Sequence, residues 1–234
     1  MRRPVIASLT VVALVSAAAL LGGSVPASAQ GGGTIVGEVK LTGTAPPPKV
    51  VKVNKDVEVC GQEKKIAEVA AGPGGGLANA VVSVTDAKGA KPAKKPALDQ
   101  KGCEFHPAVL VMTPGELDIL NSDGVLHNIH TFSTANPSIN KAQPKFKKTM
   151  TEKFEKPEVI KVQCDAHSWM HGWIVVSDNP AAVTDEKGTF KLENVPPGKH
   201  KVEVMHPVLG KQSKEVEVKA GQEVKVSFEL TAKK

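Results

Sequence analysis

Residues 162–173 have the sequence VQCDAHSWMHGW, in which Cys164, His167 and Met170 follow one another at intervals of three residues. The β-branched and apolar residues on either side predict two strands joined by a turn. A turn lets three side chains of one short segment converge, whereas successive side chains of a straight strand point to opposite faces. We therefore expect a thiol, an imidazole and a thioether to meet at the end of a strand.

A second imidazole is expected from an upstream strand. Residues 123–130 read DGVLHNIH, and His127 begins a predicted strand. Two imidazoles, a thiolate and a weak axial thioether are the ligand set of a blue, electron-transferring copper centre, and soft sulfur ligands select copper over hard cations. His130 follows His127 by three residues, so the two side chains point to opposite faces of the strand and His130 is expected to be structural.

The Cys-x-x-His-x-x-Met loop, the Gly and strand that follow it, and the upstream His-Asn-x-His resemble the small blue-copper proteins, or cupredoxins, with a short ligand loop of the amicyanin type. The resemblance implies one copper ion per chain, held by ring nitrogens of His127 and His167, the thiolate of Cys164 and an axial Met170. It also implies that Asn128 holds the two ligand loops together and forms a hydrogen bond near the thiolate.

Other interpretations of this loop are weaker. Cys164 and His167 could be an inert thiol and a core histidine, but Asp165 and Ser168 make the turn polar. A Cys/His nucleophilic pair would need an orienting acid and an oxyanion site, which the sequence does not reveal. Haem attachment and a dinuclear copper centre both need a second cysteine in the loop. Zinc remains open by ligand type, although it gives Met170 no role.

The first 29 residues resemble a secretory signal peptide. Arg2 and Arg3 precede an uncharged, largely apolar stretch over residues 4–26, and Ala-Ser-Ala at 27–29 fits a cleavage site after Ala29. A retained membrane anchor is the alternative, and only in that case do we expect contact with a membrane. The sequence therefore predicts a periplasmic or secreted protein.

The export prediction bears on the remaining cysteines and on the charge. Cys60 and Cys103 lie at loop edges and are expected to form a disulfide in an oxidising compartment, the alternative being two free thiols. The formal charge of +6 falls to +4 once Arg2 and Arg3 are removed, and the rest of the chain has no Arg and no Tyr.

This composition excludes a nucleic-acid reader, which needs Arg forks and aromatic platforms. Lysines cluster at residues 88–95 and 141–148. These clusters are either solvated loops or a docking surface for a redox protein partner with an acidic face.

Short alternating runs separated by Gly, Pro and Asn or Asp predict an all-β chain. Residues 181–232 resemble a carboxypeptidase regulatory-like (transthyretin-like) β-sandwich in the turn 184–190 and in the Pro-Pro-Gly turn 196–198, and the strand 33–41 resembles its first strand. The expected fold is a cupredoxin Greek-key β-sandwich plus a second, small transthyretin-like β-sandwich. The copper domain could be inserted in the second sandwich or share strands with it.

The expected organisation has four parts. They are a signal peptide (1–29), N-terminal strands and linker that could belong to the second sandwich (30–79), a cupredoxin-like copper domain (80–178) and a carboxypeptidase regulatory-like sandwich (179–234).

These features together predict an exported copper protein that transfers single electrons and is not an enzyme. Two alternatives stay open. One is a periplasmic copper carrier in which His130 and His171 help to take up the ion, and the other is a metal-free module that binds carbohydrate or protein at a surface.

Overall fold

A computed structural model describes residues 31–89 and 94–232; the signal-peptide prediction for residues 1–29 falls outside them. Strands account for most of the described chain. Their bounds are β1 (Gly33–Thr42), β2 (Lys49–Lys52), β3 (Glu63–Ile66), β4 (Val81–Val84), β5 (Ala97–Lys101), β6 (Glu104–His106), β7 (Val109–Met112), β8 (Gly115–Asn121), β9 (His127–Phe132), β10 (Asn140–Gln143), β11 (Thr149–Phe154), β12 (Glu158–Gln163), β13 (His171–Val176), β14 (Ala181–Val183), β15 (Thr189–Val195), β16 (Gly198–His206), β17 (Gly210–Val218) and β18 (Glu223–Thr231). A short helix α1 (Val57–Cys60) and a 3-10 turn (Pro73–Gly75) complete the described elements.

The first sandwich packs the sheet β10-β9-β12-β13-β7 with the sheet β11-β8-β5-β6. Its strands bury alternate residues, as Leu117 and Ile119 of β8 and Ile160 and Val162 of β12 show. This alternation arises because successive side chains of a strand point to opposite faces. Strand β12 lies in the middle, hydrogen-bonded to β9 on one side and to β13 on the other. The loop that follows β12 is therefore held beside the first residue of β9.

The second sandwich packs the sheet β15-β1-β18 with the sheet β14-β4-β16-β17. Strand β1 pairs in parallel with β18 and antiparallel with β15. Ile35, Val39 and Phe228, each fully buried, lie in its core. The strands of this sandwich come from both ends of the described chain. Strands β5–β13, which form the first sandwich, are inserted in the sequence between β4 and β14.

The structure corrects the expected boundary at residue 80. Strand β4 lies just inside this boundary, yet it pairs with β14 and β16 of the second sandwich and not with the strands of the first. Residues 30–79 are also divided, because β1 belongs to the second sandwich whereas Val53 and Cys60 pack into the core of the first.

The sequence pattern of residues 105–112 predicts one strand, but the structure interrupts it. Residues 105–112 form two strands, β6 and β7, separated at Pro107 and Ala108. Pro107 has no backbone N–H with which to continue the ladder, so pairing stops there.

A small apolar cluster that includes Val81, Val109 and Val175 joins the two sandwiches. Over the residues that the structure describes, no helix is long and apolar enough to cross a membrane.

Candidate metal centre

The loop after β12 closes on itself and carries Cys164, His167 and Met170. The backbone N–H of Met170 donates to the carbonyl of His167 at 2.9 Å, and the N–H of Cys164 donates to the carbonyl of Met170 at 3.1 Å. These two bonds turn the chain through a tight loop between β12 and β13. This turn brings the side chains of Cys164 and His167 together, with Cys164 Sγ 3.7 Å from His167 Nδ1.

Three donor atoms meet at the end of this loop. His127 Nδ1 lies 3.0 Å from His167 Nδ1, and Cys164 Sγ lies 3.9 Å from the first nitrogen and 3.7 Å from the second. A triangle with these edges has a centre about 2.1 Å from each of the three atoms. Metal–nitrogen and metal–sulfur distances in protein sites are about 2.0–2.1 Å and 2.3 Å. The donor atoms are thus spaced to hold a metal ion, and a set of two imidazoles and one thiolate fits copper.

The outer nitrogen of each imidazole contacts a carboxylate. His127 Nε2 lies 2.8 Å from Asp123 Oδ2, and His167 Nε2 lies 2.9 Å from Asp56 Oδ2. A carboxylate accepts hydrogen bonds, so each Nε2 carries the proton and each Nδ1 keeps its lone pair. The two Nδ1 lone pairs consequently face one another and the sulfur, an arrangement that a bound cation would stabilise.

Asp123 joins His127 to the loop that carries Cys103. Its two oxygens accept hydrogen bonds from the backbone N–H groups of Gly102 (2.7 Å) and Cys103 (2.8 Å) as well as from His127. Burial opposes ionisation of Asp123, but the hydrogen bonds from Cys103, His127 and Gly102 outweigh it and lower the pKa of this carboxyl group. Burial lowers the pKa of His127, so its imidazole is neutral at pH 7.

The thiol of Cys164 is buried and accepts a backbone hydrogen bond. Cys164 is 1% exposed, and the N–H of Asn128 lies 3.4 Å from its sulfur. Burial raises the pKa of the Cys164 thiol despite this bond. In the absence of a metal the sulfur is therefore protonated at neutral pH, and metal binding must displace that proton.

Asn128 links the strand of the first imidazole to the loop of the second. Its Oδ1 accepts from the backbone N–H of Asp165 at 2.5 Å and of Ala166 at 3.2 Å. Its Nδ2 donates to Asn140 Oδ1 at 2.8 Å. The side chain thus ties β9 to both the ligand loop and β10, and its backbone reaches the sulfur.

Met170 lies in the apolar core of the first sandwich. It is 1% exposed and packs in the same apolar cluster as Cys164 and Trp169. The ring of Trp169 lies 5.1 Å from that of His167, and its Nε1 donates to the carbonyl of Cys103 at 3.2 Å. An apolar side chain and an indole therefore shield the loop from water.

The disulfide between Cys60 and Cys103, which the sequence predicts, is present, and Cys164 is the free cysteine among the described residues. Both disulfide sulfurs lie within 4.8 Å of a ring nitrogen of His167. The disulfide is consequently part of the wall of the site, a proximity that the positions of the cysteines in the sequence do not reveal.

The surplus histidines lie elsewhere. His130 Nδ1 is 3.1 Å from Asp165, and its ring stacks on Phe132 at 4.3 Å between centroids. His171 Nδ1 donates to the carbonyl of Trp169 at 3.1 Å. Neither ring joins the donor triangle, so the structural role of His130 stays a prediction.

Sequence reasoning missed the two carboxylates. Asp123 lies in Ser-Asp-Gly, a sequence typical of a tight turn, and Asp56 lies in a polar segment with no motif. The spacing of four residues between Asp123 and His127 is a weak signal for the first contact. No local signal exists for the second, because Asp56 and His167 are 111 residues apart.

Comparison with known proteins finds two similarities. Residues 174–231 match the family model of the carboxypeptidase regulatory-like domain. Strands β1 and β4 of the second sandwich lie outside that match. No curated protein sequence matches the chain.

Several solved structures are similar to part of the chain. A purple cupredoxin from Nitrosopumilus maritimus is 22% identical over 36% of this chain and its own full length, with a TM-score of 0.31. A Cu-containing nitrite reductase from Thermus scotoductus is 23% identical over 39% of this chain, with a TM-score of 0.32, and the match spans 24% of that enzyme. A mutant of amicyanin in its Cu(I) form is 15% identical over 42% of this chain and 98% of its own, with a TM-score of 0.33. The described chain is all-β; its C-terminal part matches the carboxypeptidase regulatory-like domain, and another part is similar to solved cupredoxin structures.

Proposed function

We propose that this chain is an exported protein that holds one copper ion in its first sandwich and transfers single electrons between redox partners. The observation that carries the proposal is the triangle formed by His127 Nδ1, His167 Nδ1 and Cys164 Sγ, with edges of 3.0, 3.7 and 3.9 Å. Met170 would be the weak axial ligand. Bound copper would alternate between Cu(I) and Cu(II) and so accept and donate one electron.

The residues around the triangle support an electron-transfer role because they keep the ligands in place. Asp123 and Asp56 hold the imidazoles by their outer nitrogens, and Asn128 ties the two ligand segments together. Ligands that do not move when the charge of the ion changes keep the reorganisation energy low. The protein thus contributes orientation and exclusion of water, while the redox chemistry belongs to the ion.

Burial favours electron transfer over catalysis and over copper transport. His127 and His167 are 0% exposed and Cys164 and Met170 are 1% exposed. A substrate could not reach the ion without displacement of the chain, so we propose that the protein is not an enzyme. His130 and His171, which a carrier would use to take up the ion, are bonded to Asp165 and to the carbonyl of Trp169.

Export is supported by the disulfide and by the N-terminal sequence. Disulfides persist in oxidising compartments, and Cys60–Cys103 is 0–3% exposed. We place the protein in the periplasm or outside the cell, and we propose a redox protein as its partner.

The experiment is to load the purified protein with copper, measure the metal content, and record visible and EPR spectra during a reversible redox titration. We expect one copper per chain and an intense visible band from thiolate-to-copper charge transfer that Cys164→Ser abolishes. The matched control is His200→Gln, since His200 also contacts a carboxylate, Asp86 at 3.0 Å, but lies in the second sandwich. A colourless protein that binds only Cu(I) would instead indicate a copper carrier. A protein that binds no copper would favour the remaining alternative, a metal-free module that binds carbohydrate or protein at a surface.

A further inference from the structure

Asp56 lies on a short segment that covers the outer edge of His167. We call residues 53–62 the cover segment; the N–H of Val53 donates to the carbonyl of Gln62 at 2.9 Å and closes it into a loop. The loop is attached to the first sandwich at Cys60 by the disulfide to Cys103. His167 is 0% exposed, whereas the side chain of Asp56 is 28% exposed. Asp56 is therefore a partly exposed residue in direct contact with the outer nitrogen of a buried imidazole.

The backbone at Asp56 is shaped to direct its side chain away from the helix that it precedes. Asp56 occupies the N-cap position of α1 with φ 53° and ψ 40°, and its side chain makes no capping hydrogen bond. An aspartate at this position ordinarily caps the first turn. Its carbonyl accepts the N–H groups of Val59 (3.0 Å) and Cys60 (2.9 Å), and the carboxylate lies against His167 Nε2 at 2.9 Å.

The disulfide makes this contact persistent. Cys60 and Cys103 are nearly fully buried, and Cys103 is fixed by Asp123 through its N–H and by Trp169 through its carbonyl. The cover segment is thus connected to both imidazoles: directly to His167 through Asp56, and to His127 through Cys103 and Asp123.

We propose that Asp56 is a positioning residue for His167 and that the disulfide-held cover segment closes the metal centre on this side. This inference rests on the proposed function, since it concerns how tightly the bound ion is retained. Asp56 keeps the proton on Nε2, which leaves Nδ1 free as a ligand, and it prevents the ring from rotating out of the triangle. Removal of the carboxylate should therefore speed up the release of copper.

The test compares two variants of Asp56. Asp56→Gly removes the carboxylate and tolerates the positive φ, so the backbone is preserved. Asp56→Asn keeps an oxygen that can accept from Nε2–H and tolerates the same φ. The matched control is Asp86→Ala, which removes the carboxylate bonded to His200 in the second sandwich.

Two readouts are needed. The first is the rate of copper transfer to an excess of chelator, for which we expect an increase of at least about tenfold in Asp56→Gly and a much smaller one in Asp56→Asn, with no change in Asp86→Ala. The second is NMR of the copper-free protein, in which the His167 ring should show an Nε2–H protected from exchange that Asp56→Gly loses.

Equal release rates in Asp56→Gly and wild type would overturn the inference while leaving a copper-loaded, redox-active protein intact. An unprotected Nε2–H in the wild type would also overturn it. Failure of the wild type to bind copper would instead refute the proposed function, and the NMR experiment would still report whether the Asp56–His167 contact exists.

Discussion

Asp123 Oδ2 lies 2.8 Å from His127 Nε2 and also accepts the backbone N–H of Cys103 at 2.8 Å. One carboxylate thus fixes the tautomer of an imidazole and the position of a disulfide cysteine. His127 and Cys103 are both fully buried, so neither can turn to water if the carboxylate is lost.

Asp123→Ala should weaken both copper binding and the fold. We expect copper affinity to fall by about 10–100-fold, because His127 loses the partner that orients it. The free energy of unfolding of the copper-free protein should fall by about 1–3 kcal/mol, because two backbone N–H groups lose their acceptor. Chelator competition and chemical denaturation measure the two effects.

Asp185→Ala is the control for this experiment. Asp185 also accepts two backbone N–H groups, from Lys187 and Thr189, but it lies in a turn of the second sandwich and contacts no histidine. It should reduce stability and leave copper affinity unchanged. Equal losses of affinity in the two variants would show that Asp123 acts only through global stability.

Copper binding should release about one proton per ion at pH 7. Burial raises the pKa of the Cys164 thiol, so the proton is still present before the metal binds, whereas His127 is already neutral. Apparent affinity should therefore rise by about tenfold per pH unit below the pKa of the thiol. Calorimetric titrations in two buffers of different ionisation enthalpy count the protons. Cys164→Ser should lose this release, and an affinity that is flat between pH 6 and 8 would contradict the assignment of Cys164 as a ligand.

The disulfide should contribute substantially to stability. It closes a loop with a sequence separation of 43 residues, for which the chain-entropy model gives about 4 kcal/mol. The double variant Cys60→Ala/Cys103→Ala should lose about this amount in chemical denaturation. Cys164→Ala, which removes a thiol without removing a cross-link, is the comparison. A loss below about 1 kcal/mol in the double variant would mean that packing alone fixes the cover segment.

The loop that carries Cys164, His167 and Met170 could be predicted because its signals are local. Cys164, His167 and Met170 lie within seven residues, and a turn was the conformation that could bring them together. The disulfide could be predicted from cysteine number and compartment. His127 required a long-range assumption, which the pairing of β9 with β12 supports.

The carboxylates and the strand partners could not be predicted because their causes are long-range. Asp56 reaches His167 only after the cover segment folds over the first sandwich. The residues next to Asp56 in the sequence give no signal for this contact. Residues 81–84 alternate like any half-buried strand, and alternation reveals that a strand has a buried face but not which sheet it joins. In both cases the sequence does not reveal which distant residue or strand is the partner.

His206 should make the second sandwich sensitive to acid. Burial lowers the pKa of His206 to about 4, and its Nδ1 accepts the N–H of Val208 at 3.2 Å. An unfolded histidine has a pKa of about 6.5, so between pH 6.5 and 4 the unfolded chain binds a proton that the native chain does not. Stability from this group is therefore complete above pH 6.5 and falls as the pH drops to 4, by about 2 kcal/mol after allowance for solvent screening.

The measurement is the free energy of unfolding of the copper-free protein between pH 7 and pH 4, for wild type and His206→Gln. Glutamine does not titrate, so the variant should lose less stability over this range than the wild type, whatever its stability at pH 7. His106→Gln is the control, because the side chain of His106 is 55% exposed. Parallel pH profiles for wild type and His206→Gln would show that the imidazole is accessible to protons in the native state, because a ring that protonates equally in both states contributes no pH dependence.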